Sequence, residues 1–264
     1  MSYSQLYDTH AHLDDEMFDA DREAVIEKIR NSGVVYLNNI AADMQSSRAS
    51  IELAEKYDFI YATVGVHPSD TGSMTAADID ELRRLARHKK VVAIGEIGLD
   101  YHYEDTERET QKKWLREQLR LARGVGLPVV IHDRESKGEC LEILKEEGIT
   151  NGVVHCFSGS AETAEELLKM GFHISFTGVV TFKNAKRAIR ALEVIPTERL
   201  FIETDCPYMA PEPFRGTRND SSLVYRVAEK IAEVKGMTAE EIIRITTENA
   251  KRFFGIEHRQ SQGK

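Results

Sequence analysis

The stretch Leu6-Tyr7-Asp8-Thr9-His10-Ala11-His12-Leu13 decides how the rest of this 264-residue chain is read. Its apolar start predicts a strand over Leu6–His10. Period-2 alternation then puts His10 and His12 on one face. Two imidazoles side by side at a strand end can hold one metal ion. The plain alternative is a pair of half-exposed histidines near a terminus, and the sequence downstream decides between the two.

Seven further short apolar runs read as strands: Val34–Ala41, Ile60–Val66, Val91–Ile97, Pro128–His132, Gly152–Cys156, His173–Gly178 and Leu200–Asp205. Helical patterns alternate with them, at Phe18–Asn31, Gln45–Tyr57, Thr75–His88, Glu107–Val125, Gly138–Glu147, Ala161–Met170 and Asn184–Val194. Ser222–Lys235 and Thr238–Phe254 follow the last strand, and Thr238 with Glu241 predicts a capping box. Eight strands, each followed by a helix, in about 250 residues predict an α/β fold, the parallel (β/α)8 TIM barrel. The runner-up is an open doubly wound sheet. That fold carries a glycine-rich phosphate turn after its first strand, whereas histidines and Leu13-Asp14-Asp15 follow here. No Pro/Gly/Ser-rich linker interrupts the rhythm. The expectation is one domain over residues 1–255 and a polar tail over 256–264.

Hydrophobic residues at 41% and charged residues at 30% predict a packed core rather than disorder. A formal charge of −9 argues against holding nucleic acid on a broad basic surface. It leaves room for bound cations that attract phosphate locally. The three cysteines Cys140, Cys156 and Cys206 predict a reducing compartment and no disulfide framework. Met1 to Gln5 carry no basic region followed by an apolar stretch, and no window approaches the roughly 18 apolar residues of a membrane span. A cytoplasmic monomer away from membranes is the expectation.

In a barrel, catalytic groups sit at the C-terminal ends of strands. The polar residues fall there: His10 and His12, His67 in Gly65-Val66-His67-Pro68, Glu96, His132, His155, and Glu203 with Asp205. Buried polar groups converging with no partner are costly, so four strand-end histidines with two carboxylates predict a cation, Zn, Mn or Mg. His10, His12, Glu96, His132, His155 and Asp205 are too many for one ion with an open position, which predicts two ions. Glu96 has two oxygens with which to bridge them. Two ions about 3.5–4 Å apart generate hydroxide and clamp a phosphoryl oxygen. Asp205 can also accept a proton from the attacking water. Glu203 shares the face of Asp205 and is a catalytic candidate, supporting the metal ligands or adding one more, with a salt bridge low in the barrel as the alternative. His67 is read as a phosphate or leaving-group contact. Asp100 and Tyr101 either line the mouth or cap a turn. Alternation turns Cys156 and Cys206 away from the site.

These motifs resemble one family. Asp8-Thr9-His10-Ala11-His12, Gly65-Val66-His67-Pro68, Gly95-Glu96-Ile97-Gly98-Leu99-Asp100-Tyr101, Ile131-His132, His155-Cys156-Phe157-Ser158-Gly159 and Glu203-Thr204-Asp205-Cys206-Pro207-Tyr208 look, in this order, like the TatD metal-dependent deoxyribonucleases, which are amidohydrolase-like barrels. The resemblance implies that His10, His12 and Asp205 bind one metal, that His132 and His155 bind the second and that Glu96 bridges. It further implies Mg²⁺-type ions and 3′→5′ exonuclease action on DNA. It also favours Arg215 and Arg218 as phosphate contacts. Here the family's Arg-Gly-Lys-Arg-Asn-x-Pro reads Arg215-Gly216-Thr217-Arg218-Asn219-Asp220-Ser221, without the lysine and the proline. The competing expectation is a metal-dependent hydrolase of another ester or amide, such as an aminoacyl-tRNA or a small molecule. A non-catalytic metal-stabilised binding protein is the third.

Overall fold

The computed structural model describes residues 3–103 and 106–256. Of the expected polar tail, Ile256 is buried and residues 257–264 lie outside the described residues. The order is β1 (Leu6–Ala11), α1 (Arg22–Asn31), β2 (Val34–Asn39), α2 (Met44–Lys56), β3 (Ile60–Val64), α3 (Ala76–Leu85), β4 (Val91–Asp100), α4 (Arg108–Val125), β5 (Val129–Arg134), α5 (Glu139–Glu146), β6 (Gly152–Val154), α6 (Ala161–Lys169), β7 (His173–Phe176), α7 (Lys186–Val194), β8 (Leu200–Ile202), α8 (Tyr225–Lys235) and α9 (Ala239–Phe253). The strands form one eight-stranded sheet in the order β1 to β8, and Ala11 bridges Cys206 in parallel just beyond β8. This is the expected (β/α)8 topology. Among the described residues no helix is long and apolar enough to cross a membrane, and none of the three cysteines is in a disulfide.

The chain folds as two compact units. The first comprises the described residues up to Asn39, Cys156–Lys169 and His173–Phe253. Here β1 is buried along its whole length, as a barrel strand covered on both faces must be. Its pairing with β2 is parallel and carries one irregularity that matters: Asp8 pairs with Leu37 and Ala11 with Asn39, so β1 has one residue more than its partner across His10. Such a bulge re-aims side chains. The expected capping box on α9 is present, with the Glu241 N–H donating to Thr238 Oγ1 at 3.2 Å and the Thr238 N–H to Glu241 Oε2 at 2.9 Å. At the start of β7, His173 stacks on Phe201 with ring centroids 4.8 Å apart.

The second unit comprises Ile40–His155, Met170–Phe172 and the described residues from Phe254 on. Its centre is β4, ten residues long and buried throughout. Between β4 and β5, Ile94 pairs with Val129 and Ile97 with Ile131, so β4 also has one extra residue, at Glu96. There the Glu96 N–H leaves that ladder and donates to Ala41 O at 2.8 Å. Glycines allow the close approach: a Cβ on Gly95 would meet Val130 Cβ at 2.6 Å, and one on Gly98 would overlap the His132 carbonyl. Helix α4 buries Trp114, Leu115, Leu119 and Ala122 and ends at Gly126 with φ 72°. It also buries two glutamines. Gln111 accepts from Asp100 N and donates to Asp100 O, both at 2.9 Å. Gln118 does the same at Val66, at 2.8 and 3.1 Å. Each amide acts as a short strand partner where β4 and β3 run out.

The strand ends differ from expectation in a way that matters for the site. Strand β4 runs on to Asp100, past Ile97, whereas β6 and β8 stop at Val154 and Ile202. Cys156 (φ 43°) and Asp205 (φ 56°) adopt left-handed backbone, which ends extended structure. His155, Glu203 and Asp205 therefore lie just past their strands.

Candidate metal centre

Each unit gathers convergent donors. In the first, His10 Nε2 and His12 Nε2 lie 3.2 Å apart. Asp205 Oδ1 is 3.6 Å from the first and 3.3 Å from the second. Backbone bonds fix this geometry: the Asp205 N–H donates to His10 O and the His12 N–H to Cys206 O, both at 2.8 Å. Behind them Asp8 is fully buried. Its carboxylate accepts from the amides of His10 at 3.2 Å and Thr204 at 3.0 Å and from Thr204 Oγ1 at 2.5 Å. Burial pushes the Asp8 pKa up to about 7, against these bonds and one from Ser221. Ser221 stands where the family pattern has proline, at the first position of a short 3-10 turn capped by Asp220. Proline suits that position, and serine adds a hydroxyl for Asp8.

In the second unit, Glu96 Oε1 lies 2.8 Å from His132 Nδ1 and 2.6 Å from His155 Nε2, and the two histidine nitrogens are 3.1 Å apart. The opposite nitrogen of His132, Nε2, meets Asp100 Oδ2 at 3.0 Å. Asp100 thus accepts a hydrogen bond from the Nε2–H and leaves the Nδ1 lone pair facing the group, the second partner that orients a metal-binding histidine. Burial disfavours charge on both residues. Their contact more than offsets it, holding Asp100 down to about 2 and His132 above the usual imidazole range.

The donor sets fit divalent cations. Nitrogen and oxygen atoms bound about 2.1 Å from one ion lie roughly 3.0–3.4 Å from each other, and the observed separations bracket that range. His10, Glu96, His155 and Asp205 are all buried. Facing lone pairs in such surroundings repel, and a cation between them relieves the repulsion.

The family model described as TatD related DNase matches residues 7–255. The chain belongs to the TatD family. The metal-dependent hydrolase YabD of Bacillus subtilis (strain 168) is 50% identical over 253 residues, 95% of this chain and 99% of the relative. A protein of Musicola paradisiaca (strain Ech703) named 3′-5′ ssDNA/RNA exonuclease TatD is 32% identical over 259 residues, 95% and 98% of the two chains. Among solved structures, the TatD homologue YJJV of Escherichia coli K12 superposes with a TM-score of 0.90 at 32% identity, covering 95% of this chain and 98% of that one. This TatD-family chain is thus a metal-dependent hydrolase on a (β/α)8 barrel.

The remaining candidates of the TatD-family chain fall into two sets. His67 lies against His132, ring centroids 4.5 Å apart. Its Nδ1 accepts from the Ser69 N–H at 3.2 Å, and burial together with the charge of His132 lowers its pKa to about 4. It is a neutral imidazole whose Nε2–H is a donor. Glu203 is buried, and one of its oxygens lies within 4.8 Å of donor nitrogens of His10 and His155. It accepts from Cys156 N at 2.6 Å, Ser175 Oγ at 2.5 Å and Thr9 Oγ1 at 3.4 Å. The structure does not gather the arginines with the donors. Arg215 is exposed with its guanidinium over the Phe182 ring at 4.4 Å. Arg218 is bound to both oxygens of Asp21 and to Met17 O.

Sequence reasoning assigned nothing to Asp8, Gln111 and Gln118. Asp8 carries a signal, since 8, 10 and 12 share one parity in the strand. The glutamines are seven apart, hence on one helix face, and that face also carries Trp114, Leu115 and Leu119.

Proposed function

We propose that this chain is a divalent-cation-dependent phosphodiesterase that removes nucleotides from DNA 3′ ends. In this reading His10, His12 and Asp205 would hold one ion, His132 and His155 would hold a second, and Glu96 would be the carboxylate they share. The observation that carries it is the presence of two three-donor groups with metal-ligand separations, each backed by a buried carboxylate, Asp8 in one and Asp100 in the other. The relative named for 3′-5′ exonuclease action on ssDNA and RNA supports the substrate class. Bound there, divalent cations supply Lewis acidity and lower the pKa of bound water.

The chain's own groups divide the remaining work. Asp205 takes the proton of the attacking water. His67 donates its Nε2–H to a phosphoryl or leaving oxygen, and burial keeps that donor neutral. Arg215 contacts phosphate from its exposed position over Phe182. Arg218 contacts phosphate only by exchanging its Asp21 pair. Glu203, which accepts from Cys156, Ser175 and Thr9, holds the Cys156 backbone turn rather than moving protons. A cytoplasmic monomer completes the reading.

The test uses 3′- and 5′-labelled single- and double-stranded oligonucleotides with Mg²⁺, Mn²⁺ or EDTA. Cation-dependent loss from the 3′ end is expected, and Glu96→Ala abolishes it while lowering the metal content of the purified protein. Turnover of an ester or amide panel with no release from any nucleic acid replaces this reading with the alternative.

A further inference from the structure

Among the described residues, the exposed large apolar side chains are Met17, Tyr103, Val194, Tyr208, Met209 and Phe214. Four of them, Met17, Tyr208, Met209 and Phe214, belong to the first unit and follow β1 or β8, the strands that deliver His10, His12 and Asp205. Scattered exposed apolar residues need no explanation. Their concentration behind the two strands that carry one donor group does, because phosphate has no use for an apolar surface.

Tyr208 is the informative member. It is 48% exposed, yet it is fixed at both ends. Its N–H donates to Asp205 O at 2.9 Å. Its carbonyl accepts from Asn219 Nδ2 at 2.7 Å, and the same amide holds Thr204 O at 3.0 Å. The phenol O–H reaches Asp15 Oδ2 at 2.7 Å. The ring centroid lies 6.4 Å from that of His12, inclined at 63°. An exposed aromatic ring ordinarily turns freely. This one is pinned beside a donor histidine, so it binds a flat partner without first losing its own freedom.

We propose that Tyr208 is the stacking platform for the terminal base of a single-stranded nucleic acid whose end phosphodiester meets His10, His12 and Asp205. The inference rests on the phosphodiesterase reading and adds what recognises the substrate end. An unpaired base offers a bare π-face, which an aromatic side chain covers irrespective of sequence. In a duplex the terminal base must first leave its pair and its inner stack before it can swing onto the ring, so the platform selects frayed or single-stranded ends. The exposed Arg215 guanidinium over Phe182, in the same segment after β8, supplies the cation that a nucleotide's phosphate needs.

The experiment compares two single-stranded oligonucleotides, one intact and one with an abasic nucleotide at the end from which degradation proceeds. Wild type, Tyr208→Phe and Tyr208→Ala are each assayed on both with Mn²⁺. The quantity read is the ratio of kcat/KM on the two strands within each protein, which is insensitive to the fraction of folded enzyme. Wild type is expected to favour the intact end on the order of tenfold, mostly through KM, because stacking of one base on an aromatic side chain has about that effect on binding. Tyr208→Phe keeps the ratio, since the ring remains, and Tyr208→Ala brings it to about one. A wild-type ratio of one, or a Tyr208→Ala ratio equal to that of wild type, overturns the proposal while leaving the phosphodiesterase reading intact. Wild type that degrades neither strand with any cation overturns both.

Discussion

Asp100 and Glu203 are both buried carboxylates near the donors, yet they do different work. Asp100 has one oxygen on His132 Nε2 and the other on the His102 and Tyr103 amides, so it fixes which His132 nitrogen faces the group. Asp100→Asn presents either an amide N–H or a weaker acceptor to that nitrogen. The expected result is a 10- to 100-fold loss of metal affinity with an unchanged circular dichroism spectrum, read by equilibrium dialysis. Glu203 instead receives donors from Cys156, Ser175 and Thr9. Glu203→Gln keeps an oxygen for Cys156, and Ser175 can turn its hydroxyl to accept. That variant is expected to retain most of its activity, whereas Glu203→Ala loses about 2–4 kcal/mol in urea unfolding by stranding a buried amide. A Glu203→Gln protein that is stable and inactive would return Glu203 to proton transfer.

Among the elements, β7 offers the clearest pH dependence. Its first residue, His173, is stacked on Phe201, and its Nδ1 has no hydrogen-bond partner. Burial, then the charges of Arg199 and Arg252, depress its pKa to about 4. The unfolded chain therefore binds more protons than the folded one between about pH 6.5 and pH 4. The stability held by neutral His173 is complete above about pH 6.5 and is lost as pH falls toward 4. His173→Phe keeps the stack and removes the protonation, so in thermal melts the variant is expected to outlast wild type by on the order of 2 kcal/mol at pH 4.5 and to match it near pH 7.5. The eight strands were legible because short apolar runs between amphipathic stretches have few other uses. Their ends were not. Left-handed backbone at Cys156 and Asp205 leaves no mark in composition, and the extra residue in β1 and β4 shows only against the partner strand. Gln111 and Gln118 went unread because a buried glutamine on an amphipathic helix looks like any solvated one.

For the whole molecule, the six donor residues were legible because imidazoles and carboxylates at the ends of apolar runs are costly without a partner. The arginines were not, because a loop arginine looks the same whether it awaits phosphate or, like Arg218, is bound to a neighbouring carboxylate. Donors buried against one another tie folding to the ion. A cation at 100 times its Kd that binds only the folded chain adds about 2.7 kcal/mol. EDTA is expected to lower Tm by several degrees, and Mn²⁺ restores it in differential scanning fluorimetry. Chain length is constrained in the same uneven way. Each surplus residue, between Asp8 and Ala11 in one strand and between Ile94 and Ile97 in the other, breaks a ladder so that His10 and Glu96 can face the donors. Shortening either interval by one residue gives a straighter, fully paired strand that points its ligand elsewhere. Loops can gain or lose residues at little cost, so insertions and deletions are tolerated across most of this sequence and fatal to activity in two windows where every side chain could still be present.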